Sequence, residues 1–122
     1  MEKSKSFEEL IVWQKAHAFV LRIYKISEAF PKHEIYGLTS QFRRAAVSIA
    51  ANIAEGYRKK SCKDKLNFLS IAHSSLEECR YYLILSKDLG YQNDETLDIQ
   101  IDEVSKLLYA YARTIKANVP TK

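Results

Sequence analysis

The apolar residues in the last third of the chain follow a helical repeat. Between Leu97 and Ile115 they recur at steps of four and three, which is the spacing of a helix face packed as in a coiled coil. Only three glycines and two prolines occur in 122 residues, and 47% of the chain is hydrophobic. These features predict an all-α protein, and the length predicts one domain over residues 1–122 with a single hydrophobic core.

Capping residues and turns divide the chain into four predicted helices. Ser6 and Glu9 form a capping-box pattern before the first helix, Gly56 is expected to end the second, and Ser61 and Asn93 are suitable caps for the third and fourth. The predicted ranges are about 7–28, 33–55, 62–88 and 94–117. Connections of about four to six residues make consecutive helices antiparallel neighbours, which predicts an up-down-up-down four-helix bundle.

The first helix is apolar around most of its circumference. Its polar residues share an arc of about 100° when residues are placed on a helical wheel; they are Gln14, Lys15, Arg22 and Lys25. A helix in a four-helix bundle normally exposes about half of its circumference. We therefore expect another copy of the chain to cover part of this helix, so that the protein is a homo-oligomer. His17 lies on the apolar arc and is expected to be a hydrogen-bonded core residue.

A polar stripe runs along the second helix, with apolar residues on both of its edges. Its members fall within about 80° of one another on the wheel; they are Gln41, Arg44, Ser48, Asn52 and Glu55. Three interpretations stay open. The stripe is a hydrogen-bond network between helices in which Arg44 pairs with a carboxylate, a seam between subunits that approach closely at Ala51 and Ala54, or a ligand site.

The sequence contains none of the common signatures of catalysis or metal binding. It has no Glu-x-x-His pair, no paired-cysteine motif, no His-Glu-x-x-His, no glycine-rich phosphate loop and no nucleophile elbow. Cys62 and Cys79 lie about 25 Å apart along one predicted helix and are expected to be free thiols. We therefore expect a protein that is not an enzyme, with no catalytic residue, no metal and no cofactor.

The chain also lacks the segments that direct proteins to membranes or out of the cell. No run approaches the length of a membrane span, and the first ten residues, MEKSKSFEEL, do not resemble a secretory signal. We expect a cytoplasmic protein without a membrane partner.

A basic cluster follows the second helix. From residue 43 to residue 65 the chain carries seven basic and two acidic side chains, a local net charge of +5 against +4 for the whole chain. We assign nucleic-acid binding to six of these seven basic residues; the assigned residues are Arg43, Arg58, Lys59, Lys60, Lys63 and Lys65. The amides at the start of the third helix would also attract phosphate. The alternative is an ordinary solvated turn.

Three stretches carry a family resemblance; they are FEELIVWQKAHAFVLRIY, FPKHEIYGLTSQFRRAAVSIAANIAEGYRKKS and FLSIAHSSLEECRYYLILSKDLGY. They resemble the four-helix-bundle proteins encoded in the intervening sequences of bacterial 23S ribosomal RNA genes, from Phe7 to about Tyr91. The resemblance implies a bundle that assembles as a ring-shaped homopentamer without catalytic residues. A relative of this family, the accessory protein of diversity-generating retroelements, is associated with nucleic-acid binding through a basic surface and with a reverse transcriptase partner.

The family signature falls on the polar stripe and extends to the third helix. Its positions in this sequence are Gln41, Arg44, Ser48, Asn52, Glu55, Gly56, Ser75 and Glu78. The resemblance implies that the stripe residues and Glu78 belong to an interface or a polar network. We therefore expect a bacterial homo-oligomer, a pentamer by the resemblance, that binds structured RNA or other nucleic acid. The alternative is an oligomeric scaffold that docks a protein such as a reverse transcriptase.

Overall fold

The computed structural model describes residues 6–118, and this part of the chain folds into four α-helices and two single-turn 3₁₀ helices, with no strand. The α-helices are α1 (Ile11–Ser27), α2 (Leu38–Arg58), α3 (Cys62–Asp88) and α4 (Thr96–Ala117). The 3₁₀ helices are Phe7–Glu9 and Lys32–Glu34. The predicted all-α class and four-helix bundle are confirmed.

The core is built from all four helices. α1 packs against α2 and α4, and α3 packs against the same two helices. The largest fully buried side chains are Phe19, Ile23, Phe42, Ile49, Ile53, Leu76, Cys79, Leu97, Ile101, Val104 and Leu108. Each large apolar side chain buried in this way contributes about 1.5–3 kcal/mol to folding, so the α4 repeat is a main source of stability.

α1 begins later than the sequence predicts. Ser6 Oγ accepts a hydrogen bond from the amide of Glu8 at 3.2 Å, which caps the 3₁₀ turn rather than an α-helix. Leu10 then adopts an extended conformation, so the α-helix starts at Ile11. This break in the helix lets the Phe7 ring contact the edge of Trp13, with 5.1 Å between ring centroids.

The predicted bounds of α2 are wrong at both ends. The carboxylate of Glu34 accepts a hydrogen bond from the amide of Leu38 at 3.0 Å, so the α-helix begins at Leu38 and not near residue 33. At the other end the helix continues through Gly56 to Arg58. Gly56 is buried, and an added Cβ there would lie 3.1 Å from Phe68 Cβ. This glycine permits close approach of two helices and does not end one.

α3 has the range predicted from the sequence, and Ser61 is its cap, because Ser61 Oγ accepts from the amide of Asp64 at 3.1 Å. The helix is followed by Gly90 in the left-handed region, at a φ of 78°, which only glycine adopts readily. α4 begins at Thr96, two residues after the predicted start; its N-cap residue is Glu95, whose side chain makes no capping hydrogen bond, and not the expected Asn93. Asp94 Oδ1 accepts from the amide of Thr96 at 3.0 Å.

Arg22 of α1 binds the start of α4. Its guanidinium donates to Gln100 Oε1 at 2.9 Å, to Thr96 Oγ1 at 3.0 Å and to the carboxylate of Asp94. Hydrogen bonds from Thr96, together with the neighbouring Arg22 cation, lower the pKa of Asp94. One arginine therefore fixes the position of α4 relative to α1.

Candidate functional site

The turn between α2 and α3 brings together five of the six residues assigned to nucleic-acid binding. Arg58 is the last residue of α2, Lys59 and Lys60 lie in the turn, and Lys63 and Lys65 lie in the first turn of α3. The turn is short because the extended backbone at Lys59 leads directly to the Ser61 cap. Five cations are therefore concentrated at one end of the bundle.

Two of these five cations hold the turn in place. Lys65 Nζ donates to the carbonyl of Tyr57 at 2.8 Å and to that of Gly56 at 3.4 Å, so its charge compensates the negative end of the α2 dipole. Lys59 Nζ lies 3.5 Å from the Glu55 carboxylate. It also lies 5.0 Å from the centroid of the Phe68 ring. Lys59 and Lys65 are thus engaged within the protein.

The other three cations face solvent. Arg58, Lys60 and Lys63 are exposed, and within residues 6–118 none of them has a hydrogen bond or an ion pair. The start of α3 is less suited to bind an anion, since Ser61 already accepts from the Asp64 amide and Asp64 adds a negative charge there. We define Arg58, Lys60 and Lys63 as the basic turn.

Arg43, the sixth assigned residue, does not belong to the basic turn. It precedes Arg58 by about four helical turns, which is about 22 Å along α2. Its Nε donates to Ser27 Oγ at 2.8 Å and its Nη2 donates to the carbonyl of Tyr24 at 3.3 Å. The guanidinium lies 4.8 Å from the Tyr24 ring centroid. Arg43 therefore links α2 to α1.

Two further cations, Arg113 and Lys116, were missed in the sequence. Both are exposed in the last two turns of α4, and Lys116 lines the same groove as Leu66 in the first turns of α3. Burial, and then the proximity of Tyr57, raise the pKa of Tyr111 in the same part of α4. The only signal in the sequence was the basic character of the last turn of α4. How close that turn lies to residue 60 depends on the fold.

Three residues of the polar stripe take part in hydrogen bonds within α2 and between α2 and α3. Asn52 Nδ2 donates to the carbonyl of Ser48 at 2.8 Å and to its Oγ at 3.0 Å. The hydroxyl of the buried Ser75 donates to the same Oγ at 2.8 Å. Nearer the start of α2, the hydroxyl of Tyr82 donates to Gln41 Oε1 at 3.1 Å. This part of the stripe is a polar network between helices.

The remaining stripe residues lie outside that network. Glu55 pairs with Lys59. Arg44 and Glu78 are exposed, and neither has a hydrogen bond or ion pair in the described part of the chain. One of the three open interpretations pairs Arg44 with a carboxylate, and the described part of a single copy contains no such pair. The exposed edge of the stripe stays available for another molecule.

An apolar groove of about 340 Å³ lies between α1 and α2. Its lining residues are Phe7, Trp13, His17, Val20, Val47, Ala50, Ala51 and Ala54. His17 is exposed and stacks on Trp13 at 4.9 Å with 9° between the rings, so its expected core position is wrong. Nearby on α1, Ile11 and Leu21 are more than half exposed. We call this surface the α1–α2 groove.

Groups that support redox or metal chemistry are scarce in this structure. Among residues 6–118 no three His, Cys, Asp or Glu side chains cluster closely enough to hold a metal ion. Cys62 and Cys79 are free thiols, as predicted. Burial raises the pKa of the Cys79 thiol, which keeps it unreactive. In the same span no helix has the length and apolar character needed to cross a membrane.

The fold and site together define a class of protein, a four-helix bundle with an exposed basic turn at one end and a polar network between two of its helices. The chain belongs to the 23S rRNA-intervening sequence protein family, whose model matches residues 8–110. The family resemblance read from the sequence is thereby confirmed.

One solved structure supports the same relation. It is the crystal structure of a protein of unknown function from the S23 ribosomal protein family of Bacteroides thetaiotaomicron, which is 25% identical to this chain. The match covers 91% of this chain and 100% of the other, with a TM-score of 0.62. A comparison with curated proteins finds no match.

Proposed function

We propose that this protein is a non-enzymatic, oligomeric bundle that binds structured RNA or another nucleic acid through the basic turn. The observation that carries the proposal is the set of three neighbouring exposed cations, Arg58, Lys60 and Lys63, without partners in residues 6–118. Cations with no internal partner are available to phosphate, and phosphate contacts dominate the affinity of proteins for nucleic acids. Binding of this kind is electrostatic and weakly dependent on sequence.

The oligomer in this proposal is a ring of antiparallel bundles. Residue pairs in contact between α2 and α3 support the antiparallel arrangement, since their numbers rise on one helix as they fall on the other; they are Gln41 with Tyr82, Ser48 with Ser75, and Gly56 with Phe68. The α1–α2 groove and the exposed Arg44 and Glu78 support self-association. A homopentamer is the state implied by the family resemblance. In a ring every copy presents a basic turn, so the positive potential adds.

The test is a fluorescence-anisotropy titration with a ribosomal RNA stem-loop and a DNA duplex of equal length, over a series of salt concentrations. The double variant Lys60→Glu/Lys63→Glu is compared with Lys32→Glu/Lys87→Glu, which changes the net charge equally at exposed positions outside the turn. We expect the first variant to weaken RNA binding by at least about tenfold and to reduce the dependence on salt. We expect the control to bind nearly as the wild type does.

Equal affinities of the two variants would remove the basic turn from the proposal. Lys59 is left unchanged because it pairs with Glu55, so its reversal would disturb the turn itself. Mass measurement of each variant, by light scattering, checks that assembly is intact.

A second candidate function is a scaffold that docks a protein partner, such as a reverse transcriptase. The α1–α2 groove favours it, because eight residues line an almost wholly apolar surface there. Capture from a nuclease-treated extract separates the two functions, since RNA does not bridge a partner that survives digestion. The substitution Ala51→Glu, in the groove, should abolish that capture. Because the same groove supports self-association, the RNA affinity of this variant is compared with that of the wild type only at equal oligomer mass, measured by light scattering.

A further inference from the structure

A second groove, of about 530 Å³, lies between α3 and α4 and differs in chemistry from the α1–α2 groove. Four of its lining residues are aliphatic, namely Leu66, Leu69, Leu108 and Ala112. The others are polar or aromatic and include Ser70, Ser74, His73 and Tyr109. Its volume falls within the range of about 300–1,000 Å³ typical of small-ligand sites. We call it the α3–α4 groove.

Two of the lining side chains have a polar atom without a partner or an apolar surface without cover. The Nε2 atom of His73 is buried and has no hydrogen-bond partner within residues 6–118. A buried polar atom without a partner is uncommon in folded proteins and calls for an explanation. Tyr109 lies 4.3 Å from His73 between ring centroids, and yet it is 56% exposed. A largely exposed aromatic ring therefore lies beside a histidine with an unpaired buried nitrogen.

The charges along the α3–α4 groove are asymmetric. Lys116 lines the end nearer the basic turn, and in the described chain it has no ion pair. Glu77 lines the groove farther from the basic turn, and it shares the guanidinium of Arg80 with Asp102. Only the end of the groove at Lys116 thus continues the positive surface formed by the basic turn and the end of α4.

We infer that the α3–α4 groove takes a nucleobase from a single-stranded segment of RNA. The base stacks on the face of Tyr109, its polar edge faces the hydroxyls of Ser70 and Ser74, and the adjoining phosphate lies at Lys116. A base fits this lining because it combines an apolar face with a polar edge and an attached anion. The inference rests on the proposed function and adds to it a preference for unpaired over paired strands.

The test compares two tyrosines with equal exposure. Tyr109→Leu removes the aromatic face of the groove, and the control Tyr81→Leu makes the same change at another position that is 56% exposed, outside the groove. Affinity is measured for a ten-nucleotide single-stranded RNA and for a blunt RNA duplex. We expect Tyr109→Leu to weaken single-strand binding about tenfold and to leave duplex binding unchanged. Tyr81→Leu should change neither affinity.

The outcomes separate this inference from the proposed function. If the wild type binds neither RNA at low salt, the proposed function fails and the inference fails with it. If both RNAs bind and Tyr109→Leu equals Tyr81→Leu, only the base site is overturned. If Tyr109→Leu instead loses a protein captured from nuclease-treated extract and keeps its RNA affinity, the α3–α4 groove is a protein site and the inference is wrong.

Discussion

Replacing Gly56 by alanine should destabilise the bundle, although helix propensity alone predicts the opposite. Alanine is favoured over glycine inside a helix by about 1 kcal/mol. The added Cβ would lie 3.1 Å from Phe68 Cβ and 3.3 Å from the carbonyl oxygen of Lys65. Both atoms are fixed to the α3 backbone and do not rotate away. Because overpacking costs about 1–3 kcal/mol, we expect a net loss of about 1 kcal/mol in the free energy of unfolding.

Urea denaturation followed by circular dichroism, at one fixed protein concentration, measures this change. Ala110→Gly, at an exposed position inside α4, calibrates the propensity term in the same protein. If Gly56→Ala stabilises the protein by about as much as Ala110→Gly destabilises it, α3 moves away without cost. The close approach of the two helices at Gly56 would then not be a packing constraint.

Three further predictions concern single side chains. Arg22→Met should lower the free energy of unfolding by about 1–2 kcal/mol, measured by urea denaturation, because it removes the bonds that hold the start of α4. Hydrogen bonds from the amide of Leu38 and the hydroxyl of Tyr91 lower the pKa of Glu34 below its ordinary 4.5, so the carboxylate stabilises the fold above that pH. Its contribution is lost as pH falls through the folded pKa, and the urea midpoints of Glu34→Gln and wild type should therefore converge in acid. The buried Cys79 should react with a thiol reagent only at the rate of unfolding; rapid reaction in the native protein would contradict its burial.

Features set by local sequence were predicted well. The four-three repeat of α4 identified its buried face, since helix geometry alone decides which residues share a side. Ser61 was identified as the cap of α3 because the required acceptor and the amide it binds are three residues apart.

Features set by distant residues were predicted poorly. A glycine late in a helix either ends the helix or allows another helix to pack closely against it. At Gly56 the second case holds, because Phe68 on α3 packs against this position. α4 starts at Thr96 and not directly after Asn93, and the carboxylate of Asp94 just before it is bound by Arg22 on α1. Such contacts depend on how the helices assemble, which no local pattern contains.

In the candidate site, too, local features were predicted and features that depend on distant residues were not. The sequence located the cations around residue 60, yet it did not distinguish Lys65, which binds the end of α2, from Lys63, which faces solvent. The two lysines differ because Lys65 lies within hydrogen-bond distance of two backbone carbonyls. Lys116 joins this end of the bundle only through the packing of α4 on α3.

The stacked pair Trp13 and His17 makes the α1–α2 groove observable by fluorescence. Trp13 is the single tryptophan of the chain, and its indole lies nearly parallel to the His17 ring. All tryptophan emission therefore originates at this one groove. Where the groove is open, water should shift the emission spectrum of Trp13 to the red. Where another molecule covers the groove, the emission should shift to the blue, so that a dilution series measures how much of the groove is covered without any label.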